Sequence, residues 1–251
     1  MITTLGIAVL NRGDLLFRAI KSVDHPIQNL VIVNNSNGQD PGVAEVCRQV
    51  ELRDFPNAGL FEEIKVHTQK NLGCGPSWNH VFRNHPGPWL ISGNDIAFLP
   101  GSLALMDETA EKNPDAAIVF GDGYNVFLMM PLGLEKVGFF DENFYPAYYE
   151  DCDHWRRGVL SGAKLVGVDG FKRLHGESTD PADSSKGSNT VRSNQEYLRK
   201  NGITMQNNWE YYVRKWGGAP AKEIYQTPYN KDVPMTFWEL DAVHRQKNDL
   251  W

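Results

Sequence analysis

The chain has 251 residues, enough for one sizeable α/β domain, or one domain with an appendage, whose core needs no disulfide or metal staple. Its 41% hydrophobic and 22% charged residues and net charge of −6 are those of a soluble globular protein, and neither half has the strong basic excess of a large nucleic-acid footprint. The Met1–Leu5 stretch lacks a positive region and a cleavage site, no apolar run approaches the roughly 18–20 residues that span a bilayer, and Cys47, Cys74 and Cys152 form no CxxC pair, so a cytoplasmic protein with free thiols is expected.

Leu5–Leu10 is a short apolar run that predicts a buried strand, broken by Asn11-Arg12-Gly13-Asp14. Leu15, Leu16, Ala19, Ile20 and Val23 follow at helical spacing, with Asp14 as the expected N-cap. Leu30–Val33 is a second buried strand, ended by Asn34-Asn35-Ser36-Asn37-Gly38, and 43–50 is helical. Ile64–His67 is a short strand, Gly75-Pro76-Ser77 opens a helix to about Phe82, and Trp89–Gly93 is a strand. A helix over Ser102–Lys112 and a strand over Ala116–Phe120 continue the alternation, which predicts an α/β fold with a mostly parallel sheet flanked by helices. Ligands of such sheets bind at the carboxyl ends of the strands, where the Asn-rich and Asp-rich loops fall. From Thr179 the texture changes: 180–188 reads as a flexible loop, 191–201 and 206–216 as two helices, and 217–251 as irregular. The expected organisation is a domain over 1–178 and a loop plus helical extension over 179–251 packed on it.

The strongest local signal is Tyr148-Tyr149-Glu150-Asp151-Cys152-Asp153, three carboxylates within four positions after an aromatic run. Clustered acids repel, and burying them costs free energy unless a cation or proton compensates. On a helix beginning at 150, positions 150 and 153 share a face and 151 points elsewhere, so one acid can face a substrate while the others orient it. A solvated acidic helix start, favoured by the helix dipole, is the plainer account. Asn94-Asp95 at a strand end can hold a divalent cation against a diphosphate, or simply form a turn. Asn71-Leu72-Gly73-Cys74-Gly75 brings backbone N–H groups close to a phosphate or sugar, or is an ordinary strand–helix turn; the third Gly of a dinucleotide fingerprint is absent. His175 is a lone histidine before Gly176-Glu177-Ser178. There is no GxSxG elbow, HExxH or P-loop.

In this order the pieces resemble the family 2 glycosyltransferases, over about residues 4–178. Asn11-Arg12 resembles that family's Tyr-Asn-Arg turn, with Leu10 in place of Tyr. Val33-Asn34-Asn35-Ser36 resembles its nucleobase loop, with Asn34 replacing the usual first Asp. Asn71, Gly73 and Asn79 match a donor-side segment, and Asn94-Asp95 before Pro100-Gly101 matches the DxD-type metal motif in a one-carboxylate form. Gly138-Phe139-Phe140-Asp141-Glu142-Asn143-Phe144, Glu150-Asp151-x-Asp153 and His175-Gly176-x-Ser178 match the family's later motifs.

The resemblance implies a GT-A fold and an inverting, metal-dependent transfer from a UDP-, dTDP- or GDP-linked sugar to an acceptor hydroxyl. Asp151 would be the catalytic base, with Glu150 beside it. The donor would be held by Leu10, Asn11, Arg12, Asn35, Asn71, Gly73, Asn79, Asn94 and Asp95. Asp95 and His175 would hold Mn²⁺ or Mg²⁺, and Asp153 and Tyr149 would orient the acceptor or the base. The tail is expected to shape the acceptor side, with 179–189 as a lid; the acceptor is a saccharide, a protein or a modified nucleobase. A basic face of Arg199, Lys200, Arg214 and Lys215 would favour DNA. Two alternatives remain. A nucleotidyltransferase would need a basic phosphate loop near the first strand, for which Asn11-Arg12-Gly13 is poor. A non-catalytic sugar-binding module would not need both Asp95 and Asp151.

Overall fold

The computed structural model describes residues 2–183, 185–187 and 189–251. β1 (Thr4–Val9), α1 (Gly13–Lys21), β2 (Ile27–Asn34), α2 (Pro41–Glu51), β3 (Phe61–Thr68), α3 (Cys74–Asn84) and β4 (Trp89–Gly93) form the first half. β5 (Ile96–Phe98), α4 (Ser102–Lys112), β6 (Ile118–Asp122), β7 (Val126–Met129), α5 (Pro131–Lys136), α6 (Glu150–Leu160), β8 (Leu165–Gly167) and β9 (Arg173–His175) follow. The main sheet has seven strands in the order β3-β2-β1-β4-β7-β6-β8. All pairings are parallel except those of β7, which runs antiparallel to both β4 and β6. The mostly parallel α/β sheet is thus as expected. β7 and the small β5–β9 sheet are additions that the strand–helix alternation does not predict.

The central strands β1, β2 and β4 are largely apolar because both faces are covered. Leu30 and Ile32 of β2 pack into one core with α1, α2 and α4, while Val31 and Val33 pack into a second with α3 and Phe140. α1 begins one residue before Asp14, which is not its N-cap: Arg12 holds that place in the left-handed region and Asp14 lies in the first turn. The reason is close packing, since a Cβ on Gly13 would come within 2.3 Å of the Gly42 carbonyl oxygen of α2.

The tail departs most from expectation. After α7 (Asn189–Arg192), a single helix, α8 (Gln195–Trp216), replaces the two expected over 191–201 and 206–216. Thr204, Asn208, Tyr211, Tyr212, Lys215 and Trp216 recur on its buried face, so tertiary packing carries the helix past Gly202. Asn194 caps its start and Gly217, left-handed, its end. α9 (Ala242–Lys247), capped by Asp241, forms within the segment expected to be irregular. Ser184 and Ser188 of the expected lid over 179–189 lie outside the described residues. Among the described residues no helix is long and apolar enough to cross a membrane.

Candidate active site

Because β1 to β4 run parallel, their carboxyl ends meet at one edge of the sheet. There they open a cleft of about 490 Å³. Leu10, Asn35, Asn71, Gly73 and Asn94, each following or ending a strand, line it. Side-chain amides hold these loops in shape. Asn35 donates to the Ser77 hydroxyl (2.9 Å) and accepts from the Leu72 N–H (3.2 Å). Asn71 accepts from the Gly73 N–H (2.9 Å), and Asn94 donates to the Asn11 carbonyl (3.2 Å). Asn11 and Arg12 do not line the cleft but tie it to the tail. Asn11 donates to the Thr190 carbonyl (3.0 Å) and Ser193 hydroxyl (2.8 Å), and Arg12 donates to the Asn189 amide oxygen (3.4 Å) while pairing with Asp14 and Glu177.

Asn79, expected to touch the donor, is fully buried. It donates to the Phe140 carbonyl (2.8 Å) and Glu142 (3.0 Å) and accepts from the Phe140 N–H (2.9 Å), so it fastens α3 to the segment ahead of α6. Gly73 belongs to the same joint. Its φ is +85°, and a Cβ there would come within 2.5 Å of the Pro146 carbonyl, which accepts from the Cys74 N–H at 2.7 Å. The glycine loop therefore sets the position of the chain entering α6.

That entry is strained. Tyr148 and Tyr149 both have positive φ (77° and 72°), a conformation that costs a non-glycine residue about 1–3 kcal/mol. Tyr148 lines the cleft, whereas Tyr149 turns onto Tyr212 (centroids 5.8 Å apart). The three acids then diverge. Asp151 lines the cleft, partly exposed, and pairs with no cation among the described residues; its Oδ1 accepts from the Cys152 N–H (2.7 Å). Glu150 also reaches the cleft, but it is buried and its Oε2 has no partner among the described residues. Burial, then the neighbouring Asp151 charge, push its carboxyl well above the usual range. Asp153, expected to orient the acceptor or the base, is instead turned inward. It is fully buried, paired with Arg157 (2.8 Å) and Lys215 (2.6 Å), and does not line the cleft. Lys215 likewise is buried and supplies no basic face.

A raised carboxyl is most stable when protonated, so its contribution is fully present below the unfolded value near 4.5 and is lost as pH rises through the higher folded value. Glu150→Gln is therefore expected to melt close to wild type at pH 5 and above it at pH 8. Thermal melts at the two pH values decide this, and equal shifts at both would show that Glu150 is not held protonated.

Asp95 and His175 do come together. Residue 96 of β5 pairs with residue 175 of β9, which places the Asp95 Oδ1 3.6 Å from His175 Nε2. The Asp95 carbonyl accepts from the Gly176 N–H (2.8 Å) and from Arg18, which also bonds the Gly176 carbonyl. Gly187 lies against the His175 ring.

Other cleft residues carry no local sequence signal. Tyr124, on the β6–β7 turn, bonds His154 Nδ1 (3.0 Å). Burial drives His154 down to about 3; the imidazole is neutral, donates from Nε2 to the Gly138 carbonyl (3.0 Å) and so accepts from Tyr124. Asp122 pairs with Arg173 at 2.8 Å. From the tail, Thr190, Val191, Asn201 and Trp251 reach the cleft. An adjoining cavity of about 780 Å³ shares Leu10, Asn35, Asn71 and Trp251 with it and adds Lys70 and Lys200. All three cysteines are free.

No family model matches the chain. A galactofuranosyl glycosyltransferase from Leishmania donovani is 29% identical to it, over 87% of this chain and 50% of that protein. The chain is homologous to a glycosyltransferase. It spans about half the length of that relative. Among solved structures, a mannosyltransferase from Pyrobaculum calidifontis, in complex with GDP-Man and Mn²⁺, superposes with a TM-score of 0.55 at 14% identity, covering 87% of this chain and 66% of that one. Staphylococcus aureus TarS, residues 1–349 with UDP-GlcNAc, gives 0.53 at 11% identity over 72% and 60%. The fold is GT-A-like.

Proposed function

We propose that the protein is an inverting glycosyltransferase of the family 2 type, which moves a sugar from a nucleoside diphosphate to an acceptor hydroxyl. The observation that carries the reading is the unpaired Asp151 carboxylate in the wall of a cleft built from the ends of β1 to β4, in a chain homologous to a glycosyltransferase. The solved neighbours with GDP-Man and UDP-GlcNAc support a nucleotide-sugar donor in that cleft. Residues 1–178 form the transfer unit, and 179–251 complete its walls.

Asp151 takes the proton from the acceptor hydroxyl as that oxygen attacks the anomeric carbon. The new C–O bond forms as the bond to the diphosphate breaks on the opposite face, and the configuration inverts. Burial and the Asp151 charge raise the Glu150 carboxyl beside it, which disfavours a second anion at this point of the cleft. Tyr124, fixed by His154, and Tyr148 bound the space around the base.

Asp95 and His175 fit a divalent cation. They offer a carboxylate and an imidazole 3.6 Å apart, His175 Nδ1 is buried without a partner among the described residues, and the two side chains are 13% and 12% exposed. Among the described residues no three His, Cys, Asp or Glu side chains could hold a metal. A two-donor site is nonetheless ordinary for Mg²⁺ or Mn²⁺, whose shells are completed by phosphate and water oxygens. When bound, the cation neutralises charge building on the departing diphosphate.

Release of nucleoside diphosphate from UDP-, dTDP- and GDP-sugars in the presence of Mn²⁺ tests the reading. A nucleotidyltransferase would not give that product, and a binding module would release nothing. Asp95→Ala is expected to weaken Mn²⁺-dependent binding of the nucleoside diphosphate roughly tenfold or more, and His175→Ala less. Titration calorimetry with and without Mn²⁺ measures both; unchanged metal dependence in the two variants would place the diphosphate elsewhere.

A further inference from the structure

A second groove, of about 480 Å³, begins at the wall of the donor cleft and shares Asp151 and Tyr124 with it. It runs outward between α6 and the chain that follows α8. On the α6 side stand Trp155 and Val159, one helical turn apart. Trp155 is backed on its inner side by Phe120 (centroids 5.7 Å), yet it is 49% exposed, and Val159 is 51% exposed. Scattered exposed apolar residues need no explanation, but an indole and an isopropyl group together on the wall of a groove that leads to an unpaired carboxylate do.

The groove also carries polar groups held in place. Glu223 accepts from the Tyr212 hydroxyl at 2.5 Å. Arg156 donates one guanidinium N–H to the Tyr225 carbonyl (2.8 Å) and keeps a buried Nε with no partner among the described residues. Glu223 and Tyr212 come from the tail, Arg156 from α6, so the groove exists only because the tail packs on the domain.

Resting on the transfer reading above, the acceptor must reach Asp151 from a side that the donor does not fill, and the groove is that side. We propose that it binds a saccharide acceptor, with one ring stacked on the outer face of Trp155 and hydroxyls directed at Glu223 and Arg156. A pyranose or furanose has an apolar C–H face and a polar hydroxyl edge, and the groove offers an aromatic plate beside a carboxylate and a guanidinium. A nucleic-acid acceptor would bring phosphates towards two carboxylates, Asp151 and Glu223, against one guanidinium. The basic face that would favour DNA is not formed either, because Lys215 is buried and Arg214 pairs with Asp241 at 2.6 Å.

Saturation-transfer NMR tests the proposal on the whole chain, with methyl β-galactopyranoside, methyl α-mannopyranoside and lactose at millimolar concentration, in the presence of diamagnetic Mg²⁺ and either UDP or GDP. A sugar of this panel is expected to receive saturation mainly on one ring face. Trp155→Ala is expected to weaken its binding about tenfold, the size of one good aromatic contact. Circular dichroism checks that this half-exposed substitution leaves the fold intact, and Glu223→Gln gives an independent loss on the polar side. Saccharide binding indifferent to both substitutions would overturn the proposal. So would a panel without any binding sugar, or turnover of a serine peptide or a hydroxymethylcytosine oligonucleotide instead. Nucleotide binding by the wild type, measured on its own, decides the donor reading separately: nucleotide bound but no sugar overturns the groove alone, and neither bound overturns both.

Discussion

Asp151→Asn is expected to lower transfer by about 10²–10⁴-fold while leaving nucleoside diphosphate binding close to wild type. The amide keeps the shape of the carboxylate and can still accept from the Cys152 N–H, so the first turn of α6 is undisturbed. What is lost is the one cleft-facing acid of the cluster able to take a proton. Glu150 is ill suited to replace it, because burial and the neighbouring Asp151 charge raise its carboxyl well above the usual range. Asp153 cannot, because both its oxygens are committed to Arg157, Lys215 and Trp216. Steady-state transfer and titration calorimetry on the same preparation test this. Turnover by Asp151→Asn within a fewfold of wild type would remove Asp151 from the role of base.

The acids also show where sequence reasoning stops. Helical spacing places 150 and 153 on one face and 151 on another, and the structure agrees. Spacing does not say which face is buried, and the shared face is the buried one: Glu150 is 5% exposed and Asp153 not at all. The partner that decides this, Lys215, lies at the far end of α8. Asn79 fails for a similar reason, since its clamp on Phe140 is a long-range contact. β1, β2 and β4 are legible because each is a largely apolar run bounded by turn residues, and with the alternating Ile64–His67 stretch of β3 their ends already locate the cleft. β5 and β9 have three residues each, too few for a pattern, although their pairing is what unites Asp95 with His175. β7 follows β6 after a short turn and escapes the strand–helix rhythm. Gly202 invites a break in α8 that packing overrides.

Lys215→Met is expected to destabilise the fold by about 3–5 kcal/mol and to lower Tm by roughly 10 °C. Lys215 Nζ lies 2.9 Å from Asp141 and 2.6 Å from Asp153, Arg157 lies 2.8 Å from Asp153, and all four side chains are fully buried. Two carboxylates are thus balanced by two cations in the interior. The hydroxyl of Tyr211 donates to Asp141 (2.8 Å) and the indole of Trp216 to Asp153 (2.9 Å), so the network also fastens α8 to the rest of the chain. Methionine fills most of the lysine volume, so the loss comes from an uncompensated buried charge and not from a cavity. Burial alone would raise Asp153; Lys215 and Arg157 overcome it and hold the group down at about 2. The stability from that depression is present above the unfolded value of 3.8 and is lost as pH falls through about 2, so the deficit of the variant should shrink as the wild type is acidified below pH 4. Adding Asp141→Asn to Lys215→Met restores the charge balance and is expected to recover part of the loss, a non-additivity of the kind seen only between members of one network. Thermal melts of the two single variants and the double at pH 7 measure the coupling; simple addition of the two losses would mean that Lys215 contributes packing alone. Because Asp153 sits two residues beyond Asp151 on the same turn of α6, a folded Lys215 variant should also transfer more slowly than wild type, through a displaced base and not a missing one.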